Sequence, residues 1–396
     1  MKMIRQPVYD TQDRPFLIIW ETTQACDLAC RHCRAEASPH HDPLELNFEE
    51  SCRLIDQIES FGTPRPLFVM TGGDPFKRAD IFDLARYGSE RGLPVALSPS
   101  GTPLLNEANL LRIKEAGAHV ISLSLDGSTA ALHDDFRRVP GSFEWTVNGW
   151  KKALSLGLKI QLNTTVTRYN LFDLPAIFAL VRDLGVMTWS VFFLVPTGRA
   201  LPADQISADD CEAVMHFLYD CSKYVGCKTT EGHHYKRVVL QRTVLEARGI
   251  DPRDALGLND TYARLKAGLD AVTRGTPPPA ERMRRTPMHI NSAQGFVFIS
   301  LRGDVYPSGY LPLRAGNVRE QTLPEIYRSS PLFQSLRNLD ELRGRCGQCE
   351  FRRVCGGSRS RAYGTSGDVL AEEPLCAYQP GSFAYMEDVQ ALLSRN

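Results

Sequence analysis

Phe16-Leu-Ile-Ile-Trp20 is followed, after a short polar stretch, by Cys26-Asp-Leu-Ala-Cys30-Arg-His-Cys33. The apolar run reads as a buried strand. The three cysteines then stand with three residues, and next two, between them. Thiolates are soft, anionic ligands suited to iron–sulfur clusters and to zinc. Three of them on one tight loop can hold three corners of a four-iron cube and leave the fourth iron open. An open metal position is where a small molecule binds and reacts. Three buried thiols, or part of a zinc site, are the plainer alternatives for the triplet. Its place directly after an apolar run favours chemistry, because a ligand loop at the C-terminal end of a first barrel strand is where barrel enzymes work.

Working outward, strand and helix patterns alternate up to about Arg199. Strands are expected at Phe16–Trp20, Leu67–Met70, Val95–Ser98, His119–Leu125, Lys159–Val166 and Trp189–Val195. Helices are expected at Phe48–Phe61, Ala79–Arg91, Asn106–Ala116, Phe143–Leu156 and Asp173–Leu184, with a further one over 207–227. Strands each followed by a helix imply an α/β fold, a parallel sheet with right-handed crossovers. A partial (β/α)6 TIM-like barrel fits; a doubly wound open sheet is the alternative that periodicity leaves standing. Gly275-Thr276-Pro277-Pro278-Pro279, with Arg282, Arg284 and Arg285 after it, reads as a solvated linker. From about His289 a smaller unit begins, with a hairpin at Phe296–Leu301 and Asp304–Tyr306, a short helix at Leu323–Tyr327 and a cysteine-bearing tail. The expected division is 14–205 barrel, 206–288 helical connection and linker, 289–396 cysteine-rich domain.

Composition limits the choices further. Basic and acidic side chains balance at 46 each, so no surplus charge argues for nucleic acid or an anionic membrane as partner. No apolar run is long enough to span a bilayer, and Met1 to Arg14 lacks the apolar core of a signal peptide. A cytoplasmic protein is expected, and there closely spaced cysteines serve metals more often than disulfides.

The Cys26, Cys30, Cys33 spacing resembles the radical SAM (S-adenosylmethionine) superfamily. The resemblance implies a 4Fe–4S cluster whose open iron chelates S-adenosylmethionine. Reductive cleavage then releases methionine and a 5′-deoxyadenosyl radical that abstracts hydrogen from substrate. His32 stands where the family places a residue beside the adenine. Thr71-Gly72-Gly73-Asp74-Pro75 resembles the family's Gly-Gly-Glu motif for the methionine amino group, with the shorter Asp74 in place of glutamate. Ser98 and Ser100 end the third strand, Ser124 the fourth, and Asn163 lies on the fifth. The resemblance implies ribose and carboxylate contacts there, with Ser98, Ser124 and Asn163 the candidates. Val195 and Pro196 are candidates for the apolar face of the adenine pocket. Of Phe192 and Phe193, alternation points one inward and one outward.

A second set, Cys346-Gly-Gln-Cys349, Cys355 and Cys376, can close completely around one metal centre. On spacing alone both zinc and iron–sulfur fit. Behind a radical SAM barrel the tail resembles a SPASM region, which implies an auxiliary 4Fe–4S cluster on these four cysteines. The extended form of that region has more cysteines; Ser308 and Arg359 stand at two of those places here. Electron transfer is the favoured role for a centre with four protein ligands. Cys52, Cys211, Cys221 and Cys227 read as buried inert thiols, with Cys227, His233 and His234 an alternative metal set.

The two cysteine sets together resemble the branch that trims tetrapyrrole propionates, by removal or oxidative decarboxylation. Arg199, Arg237, Arg282 and Arg285 are candidates to clamp substrate carboxylates. The alternative is a maturase of a ribosomally made peptide; only about a dozen residues precede the barrel, so a leader-gripping domain is not expected. A redox protein without turnover is the non-enzymatic reading. A flavodoxin or ferredoxin is the expected electron donor. No general base is assigned.

Overall fold

The computed structural model describes residues 7–279 and 289–394. Arg282, Arg284 and Arg285 of the expected linker lie outside the described residues. The first seven strands are β1 (Leu17–Glu21), β2 (Leu67–Thr71), β3 (Val95–Leu97), β4 (Val120–Ser124), β5 (Lys159–Val166), β6 (Thr188–Phe193) and β7 (Cys227–Thr230). Each is parallel to the next. Helices α1 (Phe48–Glu59), α2 (Ile81–Glu90), α3 (Glu107–Glu115), α4 (Ala130–Arg137), α5 (Ser142–Ser155), α6 (Leu174–Leu184) and α7 (Ala208–Cys221) lie between them. Strand order rises from β1 to β7 without reversal. Right-handed crossovers then place every helix on one face. A doubly wound sheet needs a point where the order reverses, so the partial barrel is the fold.

Burial follows from that topology. Ile18, Trp20, Phe68, Met70, Ile121, Leu123, Ile160, Leu162, Trp189 and Val191 are buried against the helices. The alternate positions face the other way, into the lumen. There the register sets Ser124, Asn163, Ser190 and Lys228 side by side. A parallel sheet buried on both faces would read as continuous apolar runs; this one keeps a polar inner face.

Helix α1 shows how the outer layer is specified. Asn47 and Glu50 form a capping box, which satisfies two otherwise orphaned N–H groups. Leu54, Ile55 and Ile58 follow at helical spacing and are fully buried. Each such side chain contributes roughly 1.5–3 kcal/mol on burial.

Two elements depart from the expected pattern. The helix expected over 207–227 ends at Cys221, and β7 follows it. Cys227-Lys-Thr-Thr230 carries no apolar run, and its pairing with β6 decides its conformation. Helix α4 is the other; its eight residues present a short apolar stripe, although Thr129 caps it.

Helices α8 (Tyr235–Arg248), α9 (Pro252–Leu256) and α10 (Asp260–Thr273) complete the middle of the chain. The expected hairpin is not a sheet of its own. Its strands β8 (Phe296–Ile299) and β9 (Asp304–Tyr306), with β10 (Gly316–Asn317), extend the main sheet from the free edge of β1. β8 runs parallel to β1, and β9 turns back antiparallel. Short helices α11 (Leu323–Ser329), α12 (Pro331–Arg337), α13 (Gly344–Gln348), α14 (Arg359–Ser366) and α15 (Met386–Ser394) fill the remainder. Phe351, Phe383 and Val389 pack on Leu240, Val244 and Leu245 of α8. Among the described residues no helix is long and apolar enough to cross a membrane.

Candidate active site

The cysteine loop begins just past the end of β1 and is held from three sides. From α4, the Phe136 and Arg137 carbonyls accept from Arg31 N (3.0 Å) and Ala29 N (3.2 Å). From the segment after β6, Arg199 N donates to the Cys33 carbonyl at 3.0 Å. Its guanidinium donates to the Cys30 and Ala37 carbonyls at 3.0 and 3.1 Å. From β2, Gly73 N and Asp74 N donate to the Thr23 and Ala25 carbonyls, both at 2.7 Å. The glycine pair is required for that third contact. A Cβ on Gly72 would lie 2.4 Å from the Thr23 oxygen, and one on Gly73 2.5 Å from the Gln24 and Ala25 oxygens.

Each sulfur of the loop has a polar neighbour. Leu28 N donates to Cys26 Sγ and Ala37 N to Cys33 Sγ, each at 3.4 Å. Arg137 Nη1 reaches Cys30 Sγ at 3.5 Å, and Ser100 Oγ lies 3.4 Å from Cys26 Sγ. Leu28, Ala37 and Val139 supply an apolar surround. Burial pushes the Cys26 thiol up to about 11 and raises Cys30 as well, although Arg137 opposes the latter. The protein alone therefore holds these groups as thiols, and a bound metal must displace their protons. Three sulfurs, local donors and a water-poor shell fit a cluster with three protein ligands. Arg137 also pairs with the buried Asp126, which accepts from Thr165 N at 2.6 Å.

The other expected contacts are placed as follows. His32 packs its ring against Phe136, centroids 4.7 Å apart. Burial pushes its pKa down to about 4, so the imidazole is neutral. Asp74 is fully buried and accepts from Phe76 N (3.2 Å), Ser100 N (3.4 Å) and Thr102 Oγ1 (2.8 Å). Both carboxylate oxygens are thus engaged in shaping the turn beside the glycine pair, and burial raises the carboxyl pKa. Ser98 Oγ donates to the Ser122 carbonyl at 3.5 Å, whereas Ser100 Oγ donates to the Gly73 carbonyl at 2.7 Å next to Cys26. Ser124 and Asn163 are register partners on the lumen side, and Asn163 Oδ1 accepts from Gln161 at 2.8 Å. Phe193 lies in the core and Phe192 is half-buried on the opposite face. Val195 is buried and Pro196 half-buried, just before the Arg199 clamp.

The four residues of the second cysteine set face one space. Cys346, Cys349, Cys355 and Cys376 line one cavity with His234 and Arg237, about 470 Å³ including its mouth. A cavity bordered by four sulfurs suits a cluster of several irons better than a single zinc ion, which needs its ligands drawn to one point. Glu373 N donates to Cys346 Sγ at 3.3 Å and Gly357 N to Cys355 Sγ at 3.4 Å. Burial pushes Cys349 up to about 11 and Cys355 to about 12. The donor set fits a closed iron–sulfur centre held by the four cysteines.

Residues at the two places lacking cysteine have other work. Arg359 Nη2 approaches Cys346 Sγ at 3.8 Å, and its other nitrogen holds the Val369 and Ala371 carbonyls. Ser308 donates to the buried Glu231 carboxylate at 2.8 Å, which also accepts from Ser360 at 3.0 Å and from Ser358.

Two expected substrate clamps are corrected. Arg199 is committed to cysteine-loop carbonyls. Arg237 is buried, ion-paired with Glu212 at 2.5 Å, and lines the second cysteine cavity. Arg237 presents no free guanidinium to a carboxylate, and Arg199 keeps only its buried Nη2 without a partner among the described residues. Arg282 and Arg285 lie outside the described residues. Cys211, Cys221 and Cys227 are buried in the core, with Cys52 half-buried against it.

Three residues were not singled out from sequence: Arg137, Arg361 and Glu373. Arg361 and Glu373 form a fully buried ion pair at 2.8 Å. Arg361 also donates to the Phe193 and Leu194 carbonyls at 3.1 and 3.3 Å, and to the Glu231 carbonyl at 2.8 Å. The segment after β6 is therefore gripped at one end by the second cysteine unit and grips the first cysteine loop at its other end. Only Arg137 left a sequence signal, the Ser128-Thr129 cap followed by Leu132, His133 and Phe136.

Comparison with known proteins agrees with this geometry. Residues 20–181 match the model of the radical SAM superfamily, and residues 292–350 match that of the SPASM iron–sulfur cluster-binding domain. The chain is 43% identical to an AdoMet-dependent heme synthase of Oleidesulfovibrio alaskensis, over 92% of this chain and 87% of that one. It is 38% identical to an AdoMet-dependent heme synthase of Methanosarcina barkeri, over 93% and 97%. Among solved structures, Streptococcus suis SuiB bound to its precursor peptide SuiA superposes with a TM-score of 0.65 at 15% identity, covering 92% of this chain and 76% of that one. The last likeness concerns the fold.

Proposed function

The chain belongs to the radical SAM superfamily and carries a SPASM iron–sulfur domain, and from that premise we propose that it oxidatively decarboxylates propionate side chains of a tetrapyrrole. The observation that carries the proposal is the pairing of sites: three cysteines gathered on one loop past β1 and four lining a second cavity, in a chain 43% identical to an AdoMet-dependent heme synthase. Bound at the first site, a reduced 4Fe–4S cluster with S-adenosylmethionine supplies one-electron, hydrogen-abstracting chemistry.

The residues divide the remaining work. Cys26, Cys30 and Cys33 hold the open cluster; Arg137, Arg199 and the Gly72–Gly73 pair fix their loop. Ser98, Ser124 and Asn163 face the lumen, where hydroxyl and amide groups suit a polar nucleoside. Taking one hydrogen atom and carbon dioxide from a propionate leaves a vinyl group and one electron to be carried away. Cys346, Cys349, Cys355 and Cys376 house the acceptor for that electron. A flavodoxin- or ferredoxin-like protein is the proposed reductant.

The test is anaerobic turnover of the reconstituted, reduced protein with S-adenosylmethionine and iron-coproporphyrin. Formation of 5′-deoxyadenosine coupled to loss of carboxyl groups from the porphyrin is the expected result. Nucleoside with an unchanged porphyrin would discard this substrate and bring peptides forward.

A further inference from the structure

His234 is the residue at this site that the expected roles leave unexplained. It is the residue before α8, 1% exposed, and it lines the cavity of Cys346, Cys349, Cys355 and Cys376. Among the described residues neither of its ring nitrogens has a hydrogen-bond partner. Its ring packs on Phe193, at 6.2 Å between centroids. An imidazole always carries at least one N–H, whichever tautomer is present. A buried donor left without an acceptor costs about 1–3 kcal/mol.

The nearby acceptors are already engaged. Glu373 takes Arg361, Ser358 N and Leu375 N. Glu212 takes Arg237 and His216. What remains in front of the ring is the sulfur-lined cavity, whose sulfurs become anionic once iron is bound.

We propose that His234 donates its ring N–H to a sulfur of the auxiliary iron–sulfur centre and thereby raises that centre's reduction potential. The proposal rests on the four-cysteine site holding such a centre. The hydrogen bond stabilises the added electron, because the reduced centre is the more negative state. Arg237 lines the same cavity three residues along α8, but its charge is matched by Glu212. His234 is therefore a positioning and tuning residue, not a ligand and not a catalytic group. Its effect is to make the centre a better acceptor for the electron released from substrate.

The test is an EPR-monitored redox titration of the full-length, anaerobically reconstituted protein, as parent, His234→Leu and His234→Gln. Added S-adenosylmethionine identifies the signal of the other centre, since only the open iron responds to it. At the parent midpoint the reduced-to-oxidised ratio of the auxiliary centre should fall roughly three- to tenfold in His234→Leu, the size of one hydrogen bond. His234→Gln, which keeps an N–H donor, should recover part of that ratio. An unchanged midpoint in His234→Leu with full iron and sulfide content would overturn the proposal. If that variant does not assemble its centre, hyperfine spectroscopy of parent protein labelled with 15N-histidine decides. A nitrogen coupling to the reduced auxiliary centre supports the hydrogen bond, and no coupling overturns it. Lack of any iron–sulfur signal in a variant with Cys26, Cys30 and Cys33 replaced by alanine would instead contradict the premise, and the two failures are thus distinct.

Discussion

The two cysteine sites hold their sulfurs by different means. At the first, Cys26–Cys33 is pinned by backbone and guanidinium hydrogen bonds from α4, from the end of β2 and from the segment after β6. At the second, the cysteines sit in loops and one short helix that pack on Leu240, Val244 and Leu245 of α8, with Arg345 donating to the Cys376 carbonyl at 2.9 Å and Asn291 to the Cys355 carbonyl at 3.2 Å. The first loop is tied to the barrel at three places, whereas the second set surrounds a cavity of about 470 Å³ including its mouth. The comparison leads to the expectation that the first loop depends less on bound metal than the second. The proposed open site is matched by a loop tied to three neighbouring barrel segments, and the proposed closed centre by four sulfurs around one cavity.

The largest effect expected is chemical. Replacing Cys26, Cys30 and Cys33 together by alanine should reduce S-adenosylmethionine cleavage to background while the auxiliary centre stays assembled, read by iron analysis and nucleoside chromatography. Loss of both centres would mean that the sites are not independently built.

The next effect is on stability. Arg361 and Glu373 are both fully buried. Breaking such a pair leaves an uncompensated charge, at a cost of about 3–5 kcal/mol. Arg361→Met should therefore lower the anaerobic unfolding midpoint strongly. Arg361→Met combined with Glu373→Leu should recover most of that loss, because no lone charge remains. Equal loss in the single and double variants would show that the hydrogen bonds to Phe193 and Leu194, not charge, set the cost.

Removing iron sharpens the comparison further. Chelation should increase hydrogen exchange across 343–380 and leave 25–37 near its holo protection. Equal deprotection of both segments would contradict the difference drawn between them.

The smallest effect concerns Glu50, which joins the α1 cap to Arg319 at 2.7 Å. The hydrogen bond from Arg319 holds its pKa down at about 2, against an ordinary value of 4.5. A depressed carboxyl pKa stabilises the fold above its unfolded value, so this contribution is present above pH 4.5 and fades toward pH 2. Arg319 is partly exposed, and screening reduces the gain to about 0.5–1 kcal/mol. Glu50→Gln should cost that much at neutral pH and almost nothing near pH 2, as denaturant titrations at the two pH values would read.

What could be read from sequence follows the same division. Strands such as Leu67–Thr71 and Lys159–Val166 were legible because their buried positions recur on the face that meets the helices. β7 was not, because Cys227–Thr230 owes its conformation to pairing with β6. All seven cysteine ligand candidates were visible from spacing. The charged residues around them were not. Arg199 and Arg237 carry the same charge a substrate clamp would need, and only geometry shows one tied to loop carbonyls and the other to Glu212. Arg361 and Glu373 lie twelve residues apart with no pattern between them, so their ion pair emerges only when α14 folds back against β6.

The measurement that bears most directly on the account is the ratio of 5′-deoxyadenosine formed to propionate lost, compared between the parent and Cys349→Ala, both anaerobically reconstituted with the first centre shown intact by EPR. The account predicts coupled turnover in the parent, and in Cys349→Ala continued nucleoside formation with little porphyrin product. Fully coupled turnover in Cys349→Ala would contradict it, because the four-cysteine site would then have no part in taking up the electron.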